Sequence, residues 1–280
     1  VFTALNYTLT AGQSIEVLGA MSAAATTPLN LTGNALAQTI IGNAGANILR
    51  SGAGAADILI GSAGNDTYYV SNAGDQVLES AGNGLDRVFA AVNYILTAGQ
   101  EVELLGAVSA ASTDPLTLTG NEKSQTIIGN AGQNRLSSGE GAPDILIGGL
   151  GHDTYYVYNI GDQTIEDLSG GFDKVFSAVN YRLTAGQSIE LLGAINAVAT
   201  DPLRLTGNEL SQTIIGNAGD NILNTGGGAA DVLRGSLGND SYYVYNIYDR
   251  VYENRGEGID HIFTTVNYAV APNQEVEFLS

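Results

Sequence analysis

The chain has 280 residues, 37 of them glycine and five proline, and only 14% are charged, a balance that calls for many short turns and excludes a compact helical enzyme. Twenty-nine acidic against 10 basic residues give a formal charge of −19, which repels nucleic acid and anionic lipid and leaves cations as natural partners. There is no cysteine, hence no disulfide framework, thiolate metal site or thiol nucleophile, and no apolar run approaches the roughly 18 residues that cross a bilayer.

In chain order, short apolar segments alternate with Gly/Asn/Asp clusters. They are Val1-Phe2, Val17-Leu18, Leu29 to Leu31, Ile40-Ile41, Ile48-Leu49, Ile58-Leu59, Tyr68 to Val70 and Val77-Leu78. Segments this short, β-branched or aromatic and bounded by glycine turns, predict strands. The series then restarts, because Val1, Val88, Val175 and Ile262 are successive equivalents at a period of 87 residues. Three repeat copies occupy 1–87, 88–174 and 175–261, and a fourth begins at 262–280. A repeat of this length belongs to a stacked array. Eight predicted strands per copy give four two-strand coils, an even number of half-coils that returns each copy to the same face. At a strand spacing of about 4.8 Å, such a copy rises about 19 Å. A start at Val1, without a leader or a cap, reads as a stretch of a longer array.

The turns carry the chemistry. Gly61-Ser62-Ala63-Gly64-Asn65-Asp66 becomes Gly148-Gly149-Leu150-Gly151-His152-Asp153 and then Gly235-Ser236-Leu237-Gly238-Asn239-Asp240. A six-residue reversal needs glycine where φ is positive and aims backbone carbonyls at a common point. Carbonyls plus one carboxylate make half of a site for a hard divalent cation, so the next turn on the same side, 18 to 20 residues on, has to supply the rest. Asp57 and Asp75 are 18 apart, Asn47 and Asp66 19, and Asp66 and Asp86 20, which sets the acidic positions in two ladders.

These turns resemble the G-G-x-G-x-D-x-U-x nonapeptide of the RTX, or haemolysin-type calcium-binding, repeat family. The resemblance implies an all-β fold, a right-handed parallel β-solenoid or β-roll. It also implies that Asp57, Asp66, Asp75, Asp86, Asp144, Asp153, Asp162, Asp173, Asp231, Asp240, Asp249 and Asp260 ligate Ca2+ between successive turns. Gln38 and Asn47, with Gln125, Asn134, Gln212 and Asn221, stand where the motif has Asp, so those turns are expected to bind weakly or not at all. Two or three ions per copy are expected. Glu79, Glu166 and Glu253 are read either as an added ligand or as solvated strand ends, and Glu16, Glu103, Glu190 and Glu277 as an exposed face. Strand alternation puts one ring of Tyr68-Tyr69 inward and the other outward, where a ladder of rings could serve a glycan or a partner.

His152 and His261 have no equivalents in the other copies, and no nucleophile motif is present, so an enzyme is not expected. The reading is an extracellular or cell-surface structural array, such as an adhesin stalk, surface layer or filament, that folds on calcium and self-associates end to end. The alternatives are a calcium-binding module of a larger secreted toxin or hydrolase, and a carbohydrate-binding surface protein.

Overall fold

A computed structural model describes residues 1–280. The chain is all-β, with 29 short strands and no helix. The first repeat copy holds β1 (Phe2–Thr3), β2 (Tyr7–Thr8), β3 (Val17–Ala20), β4 (Asn30–Thr32), β5 (Thr39–Ile41), β6 (Ile48–Arg50), β7 (Ile58–Ile60), β8 (Thr67–Val70) and β9 (Gln76–Leu78). The second holds β10 (Arg87–Ala90), β11 (Tyr94–Ile95), β12 (Leu104–Ala107), β13 (Leu116–Thr119), β14 (Thr126–Ile128), β15 (Asn134–Ser137), β16 (Ile145–Ile147), β17 (Thr154–Val157) and β18 (Gln163–Ile165). The third holds β19 (Lys174–Ser177), β20 (Tyr181–Arg182), β21 (Leu191–Ala194), β22 (Arg204–Thr206), β23 (Thr213–Ile215), β24 (Ile222–Asn224), β25 (Val232–Arg234), β26 (Ser241–Val244) and β27 (Arg250–Tyr252), and β28 (His261–Thr264) and β29 (Phe278–Leu279) follow.

The chain divides into two compact units, Val1–Ile145 and Leu146–Ser280, and each winds as a parallel β-solenoid. In the first unit the odd strands β1 to β9 pair in one sheet and the even strands β2 to β14 in the facing one; β11, β13 and β15 form a third. In the second unit the odd strands β17 to β27 form one sheet, and β20, β22, β24, β26, β28 and β29 another.

Apart from β1, β2 and β29, the strands give the core one or two buried side chains each, because a strand of two to four residues has room for no more. In the first unit Leu31, Leu49, Tyr68, Val88, Leu105 and Ile127 stack in one register column, and Leu18, Ile40, Leu59 and Val77 in the opposing one. In the second unit the columns are Val175, Leu192, Ile214, Leu233 and Val251 against Leu205, Leu223, Tyr242 and Ile262. All of these side chains are buried. Truncating a central one, Leu49→Ala, costs about 2–5 kcal/mol, since both the burial and the fill of a one-residue-deep layer are lost.

The structure corrects the strand count. Each repeat copy has nine strands, not eight, hence four and a half coils. The added strand is β2, with its counterparts β11 and β20, a two-residue segment too short to show a periodic pattern. Nine is odd, so equivalent strands of consecutive copies lie on opposite faces. In the first unit β1 pairs with β3, whereas its counterpart β10 lies between β8 and β12 in the other sheet. In the second unit β19 joins β21, whereas β28 joins β26 on the opposite side.

The outward rings pair within the fold. Tyr69 stacks on Phe89 at 5.5 Å with the Arg50 guanidinium 3.7 Å from its centroid, and Tyr243 stacks on Phe263 at 5.0 Å.

Candidate metal centre

The turns form ladders in which a carboxylate of one coil accepts a backbone N–H from the preceding coil. On one edge of the first unit, Asn47 N donates to Asp66 Oδ1 (2.6 Å), Asp66 N to Asp86 Oδ1 (2.7 Å), and Asp86 N to Glu103 Oε2 (2.6 Å). On the other edge, Gln38 N donates to Asp57 Oδ1 (2.6 Å) and Asp57 N to Asp75 Oδ1 (2.9 Å). The same bonds recur as Gln125 N to Asp144, Asp153 N to Asp173, Asp173 N to Glu190, Gln212 N to Asp231, Asp231 N to Asp249, Asn221 N to Asp240, Asp240 N to Asp260 and Asp260 N to Glu277.

Only one oxygen of each ladder carboxylate is used in this way, and the fate of the other separates the twelve aspartates. Asp75 Oδ2 accepts from Ser71 N and Asn72 N, both at 3.0 Å. Asp162 and Asp249 Oδ2 accept the equivalent pairs, so these three side chains shape their own turn. Oδ2 of Asp57, Asp66, Asp173, Asp231 and Asp240 is buried and has no donor.

Three carboxylates converge once in each repeat copy: Asp66, Glu79 and Asp86; Asp153, Glu166 and Asp173; Asp240, Glu253 and Asp260. All nine are buried, and in each group one oxygen per residue lies within 4.8 Å of the others. Glu79 leaves the end of β9 and faces Asp66 from the next coil. An inward Tyr68 hydroxyl donates to Glu79 Oε1, as Tyr155 does to Glu166. Oε2 of Glu79 and of Glu166 and both carboxylate oxygens of Glu253 have no donor. A Cβ at Gly61 would run into Asp66 Oδ2 and Tyr68 Oη, and Gly148 and Gly235 occupy the same place in the other groups. Glycine therefore holds the cavity open. Leaving so many buried oxygens without donors costs about 1–3 kcal/mol each, more when charged, unless a cation takes their place.

The carboxyl groups register this electrostatically. Burial pushes Glu79 up to about 8, Asp86 and Asp66 adding to it while the Tyr68 hydroxyl opposes it. Burial likewise brings Glu166 to about 8 and Glu253 to about 9, the latter with Asp260 and Asp240 adding. Asp86, Asp173 and Asp57 rise to about 6, and Asp231 and Asp240 to about 7, burial again the first cause.

The amide turns are built differently. Asn47 Nδ2 sits among four oxygens: Asn43 O (3.0 Å), Gly45 O (2.6 Å), Gly61 O (3.4 Å) and Asp66 Oδ1 (3.0 Å). Asn221 Nδ2 repeats the backbone contacts with Asn217 O, Gly219 O and Gly235 O. Gln38 and Asn34 exchange reciprocal bonds, Asn34 N to Gln38 Oε1 at 3.0 Å and Gln38 Nε2 to Asn34 Oδ1 at 2.8 Å. An amide NH2 thus takes the oxygens a cation would otherwise collect.

Glu79, Glu166 and Glu253 were the residues on which the sequence stayed undecided. Their recurrence at one register was visible; their burial was not. Of the face read as exposed, Glu16 and Glu277 are exposed and Glu103 and Glu190 half-buried; Glu103, Glu190 and Glu277 also accept a backbone N–H from the last aspartate of the ladder.

A parallel β-solenoid with stacked Gly/Asp turns and oxygen-only buried carboxylate groups is an arrangement suited to a repeat that binds a hard cation between its coils. The chain carries the RTX calcium-binding nonapeptide repeat in four copies, at residues 32–68, 54–77, 119–155 and 206–242. No curated protein and no solved structure matches it. Glu79, Glu166 and Glu253, with Asp86, Asp173 and Asp260, lie beyond the matched segments. Ca2+ is the ion the repeat binds, and the donor set fits it: carboxylate and phenolic oxygens, with neither nitrogen nor sulfur.

Proposed function

We propose that the chain is a non-catalytic segment of an extracellular structural array whose coils fold and stiffen as Ca2+ enters the turns. One observation carries this reading: a buried three-carboxylate group in every repeat copy, with oxygens that no protein donor satisfies. Two carboxylates about 4 Å apart repel by about 4 kcal/mol at an effective dielectric constant of 20, so each group of three must bear that repulsion or take up a proton to relieve it. In the low calcium of a cytosol, that repulsion and the entropy of a glycine-rich chain oppose folding. In the millimolar calcium outside a cell, the ion neutralises the group and its binding free energy becomes folding free energy. This suits export of an unfolded chain followed by folding outside.

The test is a calcium titration of the full chain, followed by circular dichroism and light scattering together and reversed with a chelator. A reversible gain of β-structure is expected, with growth in particle mass at the same step if the coils also assemble between chains. A β-spectrum identical in chelator and in calcium would overturn the folding switch.

A further inference from the structure

We propose that the second unit carries a cleft for a carboxylate-bearing sugar, separate from the calcium turns. A cavity of about 610 Å³ opens on its outer surface across β20, β22 and β24, where β20 begins a new sheet. Arg182 on β20 and Arg204 on the neighbouring β22 both line it, exposed and two register positions apart, since Arg182 sits opposite Thr206, and neither guanidinium forms an ion pair.

Two free cations together are unexpected in a chain of charge −19 with 10 basic residues. The acidic residue of the wall, Asp162, has its Oδ2 engaged by Tyr158 N and Asn159 N. The side-chain carbonyl of Asn180 accepts Arg204 N at 2.7 Å, and that of Asn224 accepts Gly226 N at 2.8 Å. With those oxygens accepting from backbone amides, the NH2 groups of these two cleft-lining side chains are left to serve as donors. The residues are specific to one copy: Arg182 corresponds to Thr8 and Ile95, and Arg204 to Asn30 and Thr117. Regular stacking requires neither arginine.

A planar carboxylate matches the fork of a guanidinium, and the volume exceeds what a bare inorganic anion fills. The amide donors suit ring hydroxyls, and the exposed Tyr245 offers an aromatic wall to a sugar face. An acidic peptide fits less well, because β20 supplies only two residues as a template for strand addition.

The test is isothermal titration of the full chain in millimolar calcium with trigalacturonate, and with neutral galactotriose, inorganic phosphate and tetraglutamate as comparisons. Trigalacturonate should bind and galactotriose should not. The Arg182→Ser/Arg204→Ser double variant should lose at least tenfold in affinity while its calcium-dependent circular dichroism stays unchanged. Absence of trigalacturonate binding, equal binding by a double variant with an unchanged spectrum, or tighter binding of phosphate or tetraglutamate would overturn the proposal. If the double variant changes the spectrum, the single variants Arg182→Lys and Arg204→Lys decide: both keep the charge and lose the fork, so an affinity unaltered in either counts against it.

Discussion

Glu79 is a carboxylate placed where water cannot reach it, against Asp66, Asp86 and the Tyr68 hydroxyl. Its replacement by glutamine keeps the shape and removes one charge. We expect Glu79→Gln, with Glu166→Gln and Glu253→Gln, to weaken calcium binding at these groups at least about tenfold, roughly 1.4 kcal/mol per site, in chelator-competition assays. The same triple variant should be more stable than the parent in chelator at pH 8, because less charge is buried. The pH response has a definite sign. These carboxyl groups titrate near 6 to 9 in the folded chain, above their usual values. The metal-free fold therefore holds protons that the unfolded chain releases, and its stability is greatest below about pH 4 and is lost as pH rises through 6 to 9. Urea midpoints in chelator should fall between pH 5 and pH 8, and calcium affinity should rise over the same interval as protons cease to compete.

At the scale of the turn, two designs alternate within each unit. The Asp66 and Asp240 turns leave a buried carboxylate oxygen without a donor, whereas the Asn47 and Asn221 turns close around their own amide nitrogen. Replacing Asn47 with aspartate removes that donor and sets a second carboxylate beside Asp66. We expect the metal-free fold to lose about 1–3 kcal/mol and the calcium-loaded protein to bind one further ion, measured by titration calorimetry. Ser62 and Ser236 hold φ of 84°, where their counterpart Gly149 has φ of 101°. A left-handed non-glycine residue is strained, so Ser62→Gly and Ser236→Gly should each stabilise by about 0.5–1 kcal/mol in denaturant unfolding. Gly64, at φ 110°, allows no such freedom in reverse, since a Cβ there would lie 2.6 Å from Gly45 O of the coil beneath.

For the molecule, the odd strand count is the decisive quantity. Within the second unit, the chain passes Asp153 on its way from β16 to β17, an even strand to an odd one, and Asp240 from β25 to β26, odd to even. The two metal groups therefore sit on opposite lateral edges. Their axial separation is four and a half coils, about 22 Å at the usual strand spacing. Gadolinium(III) bound in place of calcium should give a spin–spin distance between these sites longer than that rise alone. A distance of about 19 Å would restore the eight-strand coil.

The sequence alone determined the period, the all-β class and the two aspartate ladders, because each is a matter of spacing along one chain and a solenoid repeats spacing faithfully. It could not determine that Tyr7–Thr8 forms a strand, since two residues carry no periodicity. Nor could it decide which ladder oxygens are already satisfied: Asp57 and Asp75 look alike in sequence, yet two backbone amides hold Oδ2 of Asp75 and none holds that of Asp57. The burial of Glu79 and the placement of Arg182 and Arg204 in one cleft belong to the same class of fact. Each depends on what the neighbouring coil places opposite a side chain, which only the stacking of coils decides.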